Sequence, residues 1–157
     1  MITVRPATKA DDPPLIRFGE NFYDSLDYKD IPYCETSAAR WFDFMRDLGV
    51  LFIALDGIKP IGMAGGVFSK FIFNDAYEVG AELLWWVEPE YRRSGVGAQL
   101  LAALENSAYA RGAARWSMVA IEATADRVGQ IYQRSGYVPT ERTYTKVPEW
   151  LSQPLQS

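Results

Sequence analysis

Histidine is absent from the 157-residue chain, and cysteine occurs once, at Cys34. The first absence removes Ser-His-Asp and Cys-His catalysis, and the two together leave no ordinary zinc site, so no metal is expected. Acid-base work falls to Glu, Asp, Tyr, Lys or water. A lone thiol closes no internal disulfide and fits a reducing compartment, and with no partner base in view Cys34 reads as a structural or surface thiol. No apolar run approaches the roughly 20 residues of a membrane helix. The N-terminal Met-Ile-Thr-Val-Arg-Pro lacks a basic region followed by an apolar core. The expectation is a cytoplasmic protein with no membrane partner. A net charge of −4 carries no basic footprint for nucleic acid and mildly favours a cationic or amine partner. Repeats, low-complexity tracts and interdomain linkers are also missing, which points to one domain over 1–157 with a loosely held tail at 148–157.

What is present is a chain with 48% hydrophobic residues, enough to bury a core. Ile2 to Arg5 reads as a first strand. Pro14 to Ser25 reads as a helix with Leu15, Phe18 and Phe22 on one side. The Glu35-Thr36-Ser37 cluster starts a second helix, striped by Ala38, Trp41, Phe42, Met45 and Leu48 and closed at Gly49. Val50 to Leu55 and Ile61 to Phe68 read as strands around an Asp56-Gly57 turn, and Phe71 to Tyr77 as an aromatic connection. Ala81 to Val87 is almost wholly apolar, as suits a central strand covered on both faces, and Pro89 ends it. Val96, Leu100, Leu104 and Ala108 then recur every four residues in a helix stopped by Gly112. Trp116 to Ile121 reads as a strand, Ala125 to Ser135 as a helix, and Tyr144 to Val147 as part of the final strands.

The turn between the central strand and the long helix holds Arg92, Arg93, Ser94, Gly95, Val96, Gly97 and Ala98. Two glycines one residue apart at a helix start let the backbone approach a ligand while unpaired N–H groups point outward, a nest for phosphate. A Walker loop would need Lys then Ser or Thr after the last glycine, where Ala98 and Gln99 stand. A Rossmann fingerprint would need a third glycine where Leu100 stands.

The pattern Val87-x-Pro89-x-x-Arg92-x-x-Gly95-x-Gly97 resembles the pyrophosphate loop of the GNAT family of N-acetyltransferases. Ile131-Tyr132-Gln133-Arg134-Ser135-Gly136-Tyr137 is similar to the family's Leu/Phe-Tyr-x-x-x-Gly-Phe signature. The resemblance implies an α/β fold with a mixed, mostly antiparallel central sheet of six to seven strands flanked by about four helices. It implies acetyl-CoA as cofactor and direct transfer of the acetyl group to a primary amine, on a small molecule or a protein, by a monomer or homodimer.

Carried onto this chain, the resemblance gives the diphosphate to the backbone from Arg93 to Ala98, with the Arg92 and Arg93 side chains available to phosphate oxygens. Main-chain groups near Trp85, Trp86 and Val87 are expected to be free of the neighbouring strand after a bulge. Glu82 is the candidate base, with a water relay past an ordinary strand-end carboxylate as the alternative. Tyr132 is the candidate donor to the departing thiol, and a purely core role for it the competing reading. The Asn that many members carry seven residues before this tyrosine is Ala125 here, and Arg127 is the candidate substitute. Tyr28, Tyr33 and Glu78 are candidate acceptor contacts. The rival functional reading is a non-catalytic CoA-binding or protein-interaction module of the same fold.

Overall fold

The computed structural model of the protein describes residues 1–26 and 30–152. Its strands are β1 (Ile2–Pro6), β2 (Val50–Asp56), β3 (Lys59–Phe71), β4 (Asn74–Val87) and β5 (Arg115–Ser117). Its helices are α1 (Asp12–Asp24), α2 (Glu35–Leu48), α3 (Val96–Ala110), α4 (Ala125–Arg134) and α5 (Glu149–Ser152). The strands form one sheet in the order β1-β2-β3-β4-β5. The first three pairings are antiparallel and β4 pairs with β5 in parallel, so the sheet is mixed and mostly antiparallel, as expected.

Alternation along the strands sends side chains into two cores. Ala54, Ile61, Ala64 and Val87 meet Val96, Leu100, Leu104 and Ala108 of α3 on one face. Their neighbours Ile53, Met63 and Trp86 meet Leu15, Phe18, Phe42 and Met45 of α1 and α2 on the other. The four-residue stripe of α3 therefore lies on the sheet, and each large apolar side chain removed from water there contributes about 1.5–3 kcal/mol. Between β1 and α1, Asp11 takes two hydrogen bonds of 2.8 Å from Arg5 and one of 2.7 Å from the Thr8 amide, which fixes how the chain enters the first helix. Asp12 and the Pro13-Pro14 pair begin α1 two residues earlier than the sequence reading placed it, since proline is tolerated in a first turn whose amides have no intrahelical partner.

Three differences from expectation share one cause, the availability of a partner strand. Phe71 to Tyr77 is not a connection: Phe71 pairs with Asn74, so β3 and β4 form one long hairpin turning at Ile72 and Phe73. The strand expected from Trp116 to Ile121 stops at Ser117, where β5 leaves β4. Tyr144 to Val147 forms no strand, because a ladder needs a neighbour and residues 138–147 are exposed without one. Among the described residues the sheet accordingly has five strands rather than six or seven. The expected loose tail contains α5, whose Trp150 is largely exposed. Among the described residues no helix is long and apolar enough to cross a membrane.

Candidate functional site

The site begins with a fault in β4. Glu82 faces Gly66 and Leu84 faces Gly65, so Leu83 has no counterpart on β3 and forms a bulge. An extra residue shifts the alternation by one and bends the strand. Glu82 therefore shares the α3 side of the sheet with Trp85, whereas Leu84 and Trp86 lie on the α1 and α2 side. Pairing with β5 covers only Val79, Gly80 and Ala81. Beyond that point β4 has β3 alone as its neighbour among the described residues, so one main-chain edge through Trp85, Trp86 and Val87 is open.

The turn that follows is built to leave α3 uncapped. A 3-10 turn at Pro89–Tyr91 ends with the Ser94 amide and hydroxyl both donating to the Tyr91 carbonyl, at 3.0 and 2.7 Å. Gly95 then adopts φ +85° as the residue before the helix, with no side-chain cap. Positive φ is inexpensive for glycine alone. The amides of Gly95, Val96, Gly97 and Ala98 find no acceptor among the described residues, and they sit at the positive end of the helix dipole. Gly97 lies on the indole of Trp85, where an added Cβ would come within 3.0 Å of the ring. Arg92 differs from expectation in part: its Nε donates to the Val87 carbonyl at 3.0 Å and its guanidinium covers Trp86 at 4.8 Å, so it braces the turn. Arg93 is exposed.

Glu82 and Tyr132 come together behind this turn. Glu82 is 4% exposed and accepts the Val119 amide at 3.0 Å. Burial pushes its carboxyl up to about 7, with the Val119 hydrogen bond opposing the shift. Tyr132, from the last turn of α4, is 6% exposed and donates to the Val119 carbonyl at 2.9 Å. Its ring stacks on Trp85 at 5.8 Å and tilts against Tyr137 at 5.7 Å. Burial raises the phenol above its ordinary range, and the nearby Glu82 charge adds to the rise. Trp85 thus lies between Gly97 of the turn and Tyr132.

The remaining candidates stand elsewhere. Glu78 is held by Arg111, whose Nη2 reaches its carboxylate at 3.1 Å, so its charge is already paired. Tyr33 donates to the Ile16 carbonyl of α1 at 3.2 Å and packs on Tyr23, which ties it to the helix rather than to Glu82 or Tyr132. Arg127 is exposed on α4 and makes no ion pair among the described residues. Tyr28 lies outside the described residues. Cys34 is exposed at the start of α2. Two contributors went unread in the sequence: Leu83, whose bulge carries no residue signature, and Val119, which acts through its main chain and reads as any apolar strand residue. No group of three or more possible metal ligands occurs among the described residues.

Solved structures share this architecture. A transcriptional regulator from Bacillus halodurans superposes with a TM-score of 0.76 at 19% identity, over 94% of this chain and 99% of that one. An aminoglycoside N-acetyltransferase in complex with CoA gives 0.76 at 16% identity, over 95% of each chain. A predicted acetyltransferase from Clostridium acetobutylicum with acetyl-CoA gives 0.71 at 21%, over 94% and 96%. At these identities the likeness is one of fold. No curated protein matches the chain by sequence. The family model for GNAT acetyltransferases matches residues 17–137, from α1 through the Gly136-Tyr137 turn after α4, and the chain belongs to that family.

Proposed function

We propose that this chain transfers an acetyl group from acetyl-CoA to a primary amine, with Glu82 and Tyr132 as the working side chains. Acetyl-CoA is the cofactor of GNAT acetyltransferases. The observation that carries the reading is the run of unpartnered amides from Gly95 to Ala98, which continues directly from the open edge of β4. Four donors at a helix N-terminus, with open space around Gly95, suit a diphosphate. The main-chain edge of β4 beyond Ala81, apart from the Val87 carbonyl held by Arg92, suits an amide-bearing arm laid alongside the strand.

When bound, the cofactor supplies a thioester carbonyl for the amine to attack, with formation of a C–N bond and cleavage of the C–S bond. The chain's own residues handle the protons and the charge. An alkylammonium titrates near about 10.4, so the amine must first lose a proton. Glu82 takes it, directly or through one water, because burial has brought its affinity for protons close to neutrality. Amides along the open β4 edge stabilise negative charge on the carbonyl oxygen, and amides desolvated in this way are worth about 3–4 kcal/mol each. Tyr132 keeps its proton at any physiological pH and turns its O–H from Val119 to the leaving sulfur as a hydrogen-bond donor. Of the two protons the acceptor nitrogen sheds, one ends on the thiol and the other in solvent.

The test is to incubate the protein with isotopically labelled acetyl-CoA and an amine panel or cell extract, then follow thiol release and label by mass spectrometry. Amine-dependent thiol release with label on nitrogen is the expected result. Tight CoA binding with no turnover on any amine would replace this reading with that of a non-catalytic CoA-binding module.

A further inference from the structure

The main-chain edge of β4 is open although a parallel strand starts beside it, and the reason lies in Val119. The observed register sets Val79 against Arg115, Gly80 against Trp116 and Ala81 against Ser117. Carried two residues further, it would set Val119 against Leu83. Continuing the ladder would pair main-chain groups of the two strands with one another, so the separation needs something to maintain it. Both polar groups of Val119 are already taken by side chains: its amide donates to Glu82 at 3.0 Å and its carbonyl accepts from Tyr132 at 2.9 Å. Glu82 belongs to β4 itself, and the Leu83 bulge next to it breaks the regular alternation of β4 at the position that would have met Val119 in register. Trp85, stacked on Tyr132, occupies the α3 side of the gap.

We infer that Glu82 is also a positioning residue: with Tyr132 it forms a polar wedge that satisfies Val119, keeps β5 from zipping onto β4, and so holds open the strand edge that receives the cofactor. This rests on the acetyl-CoA reading above and adds a second duty to Glu82, one that depends on accepting a hydrogen bond rather than on taking a proton. The two duties separate in different variants. Glu82→Gln retains an acceptor oxygen for Val119 and loses the base. Glu82→Ala loses both. Val119→Pro deletes the amide and leaves Glu82 intact.

Coenzyme A itself is the probe, with its affinity measured by calorimetry. Hydrogen exchange of the amides in 83–87 and 118–121 reports the wedge without any ligand. Glu82→Gln should bind CoA within about twofold of the parent, while Glu82→Ala and Val119→Pro should bind about tenfold more weakly. The amides of 83–87 should gain protection in Glu82→Ala, and more in the double variant Glu82→Ala/Tyr132→Phe. Parental CoA affinity in Glu82→Ala, or a loss in Glu82→Gln equal to that in Glu82→Ala, overturns the wedge. Unchanged exchange in a folded double variant does so too. Absence of CoA binding by the parent would instead remove the acetyl-CoA reading, and the exchange data would still decide on the wedge.

Discussion

Glu82 and Tyr132 hold the same residue from its two ends, the carboxylate accepting the Val119 amide at 3.0 Å and the phenol donating to the Val119 carbonyl at 2.9 Å. One oxygen of Glu82 is thereby oriented by the main chain and the other is left for a proton. Because burial lifts this carboxyl to about 7, it is half protonated near neutrality. The rate at subsaturating amine should rise with pH through a limb centred near 7 as Glu82 ionises. Glu82→Gln should lose that limb together with most of the turnover. A parental limb that persists in Glu82→Gln would assign it to another group.

The same shift predicts how stability depends on pH. A carboxyl whose folded value lies above its unfolded one binds its proton more tightly in the native state, so stability falls as pH rises between the two values. For Glu82 that window runs from 4.5 to about 7. The loss across it is about 3 kcal/mol at roughly 1.4 kcal/mol per unit. Denaturant melts of the parent and Glu82→Gln at pH 4.5, 6 and 7.5 should show the parent losing ground to the variant as pH rises. A constant difference would mean that Glu82 titrates normally.

Asp11 should behave in the opposite sense. Its carboxylate receives Arg5, the Thr8 amide and the Thr8 hydroxyl, and Arg5 holds it below the ordinary carboxylate range. Its stabilising effect is therefore complete above the unfolded value and is lost as pH falls below it. Asp11→Asn keeps the shape and removes the charge. The expected cost near neutral pH is about 2 kcal/mol, less than for a fully buried pair because Arg5 is 39% exposed. Chemical denaturation at pH 7 checks the size, and the cost should shrink in acid.

Much of this arrangement is legible in the sequence, and the part that is not has a physical reason. From Val87 to Gly112 each decision is local: proline stops the strand, glycine permits positive φ, and a four-residue stripe fixes the helix. Tyr132 stands out only because its segment, with Gly136 four residues on, resembles the family signature. Pairing is not local. Nothing between Phe71 and Tyr77 marks a tight turn, since Asn74 and Asp75 fall after it, and the hairpin is set by the register of β3 against β4. Thr143-Tyr144-Thr145 has the composition of a strand and forms none, because composition supplies no neighbour. The Val119 contacts join positions 37 and 13 residues apart through a backbone that any apolar residue would supply.

The two glycines of the turn should respond differently to a methyl group. Gly95 has nothing within 4 Å of an added Cβ but holds φ +85°, so Gly95→Ala adds backbone strain of about 1–2 kcal/mol. Gly97 is helical, and its added Cβ would press on the Trp85 ring at 3.0 Å. Gly97→Ala should therefore change Trp85 fluorescence as well as weaken CoA. Gly95→Ala should weaken CoA and lower the melting temperature with little spectral change. Equal spectra for both variants would show that Trp85 does not lie against the turn.

Tyr132→Phe separates the hydroxyl from the ring. The ring is what packs on Trp85 and Tyr137, and Phe retains it. The hydroxyl's present bond is to the carbonyl of Val119, a residue 56% exposed, where water can replace the lost donor. Stability should fall by only about 1 kcal/mol, and CoA affinity by no more than about threefold while Glu82 still holds the Val119 amide. Turnover should fall about a hundredfold or more, because an aligned donor to developing charge in a desolvated site is worth that much. A stopped-flow measurement of thiol release at saturating substrates isolates the chemical step from binding. Loss of turnover with affinity and melting nearly unchanged places the hydroxyl at the reacting sulfur. Equal losses in all three would make Tyr132 a core residue whose hydroxyl serves Val119 alone.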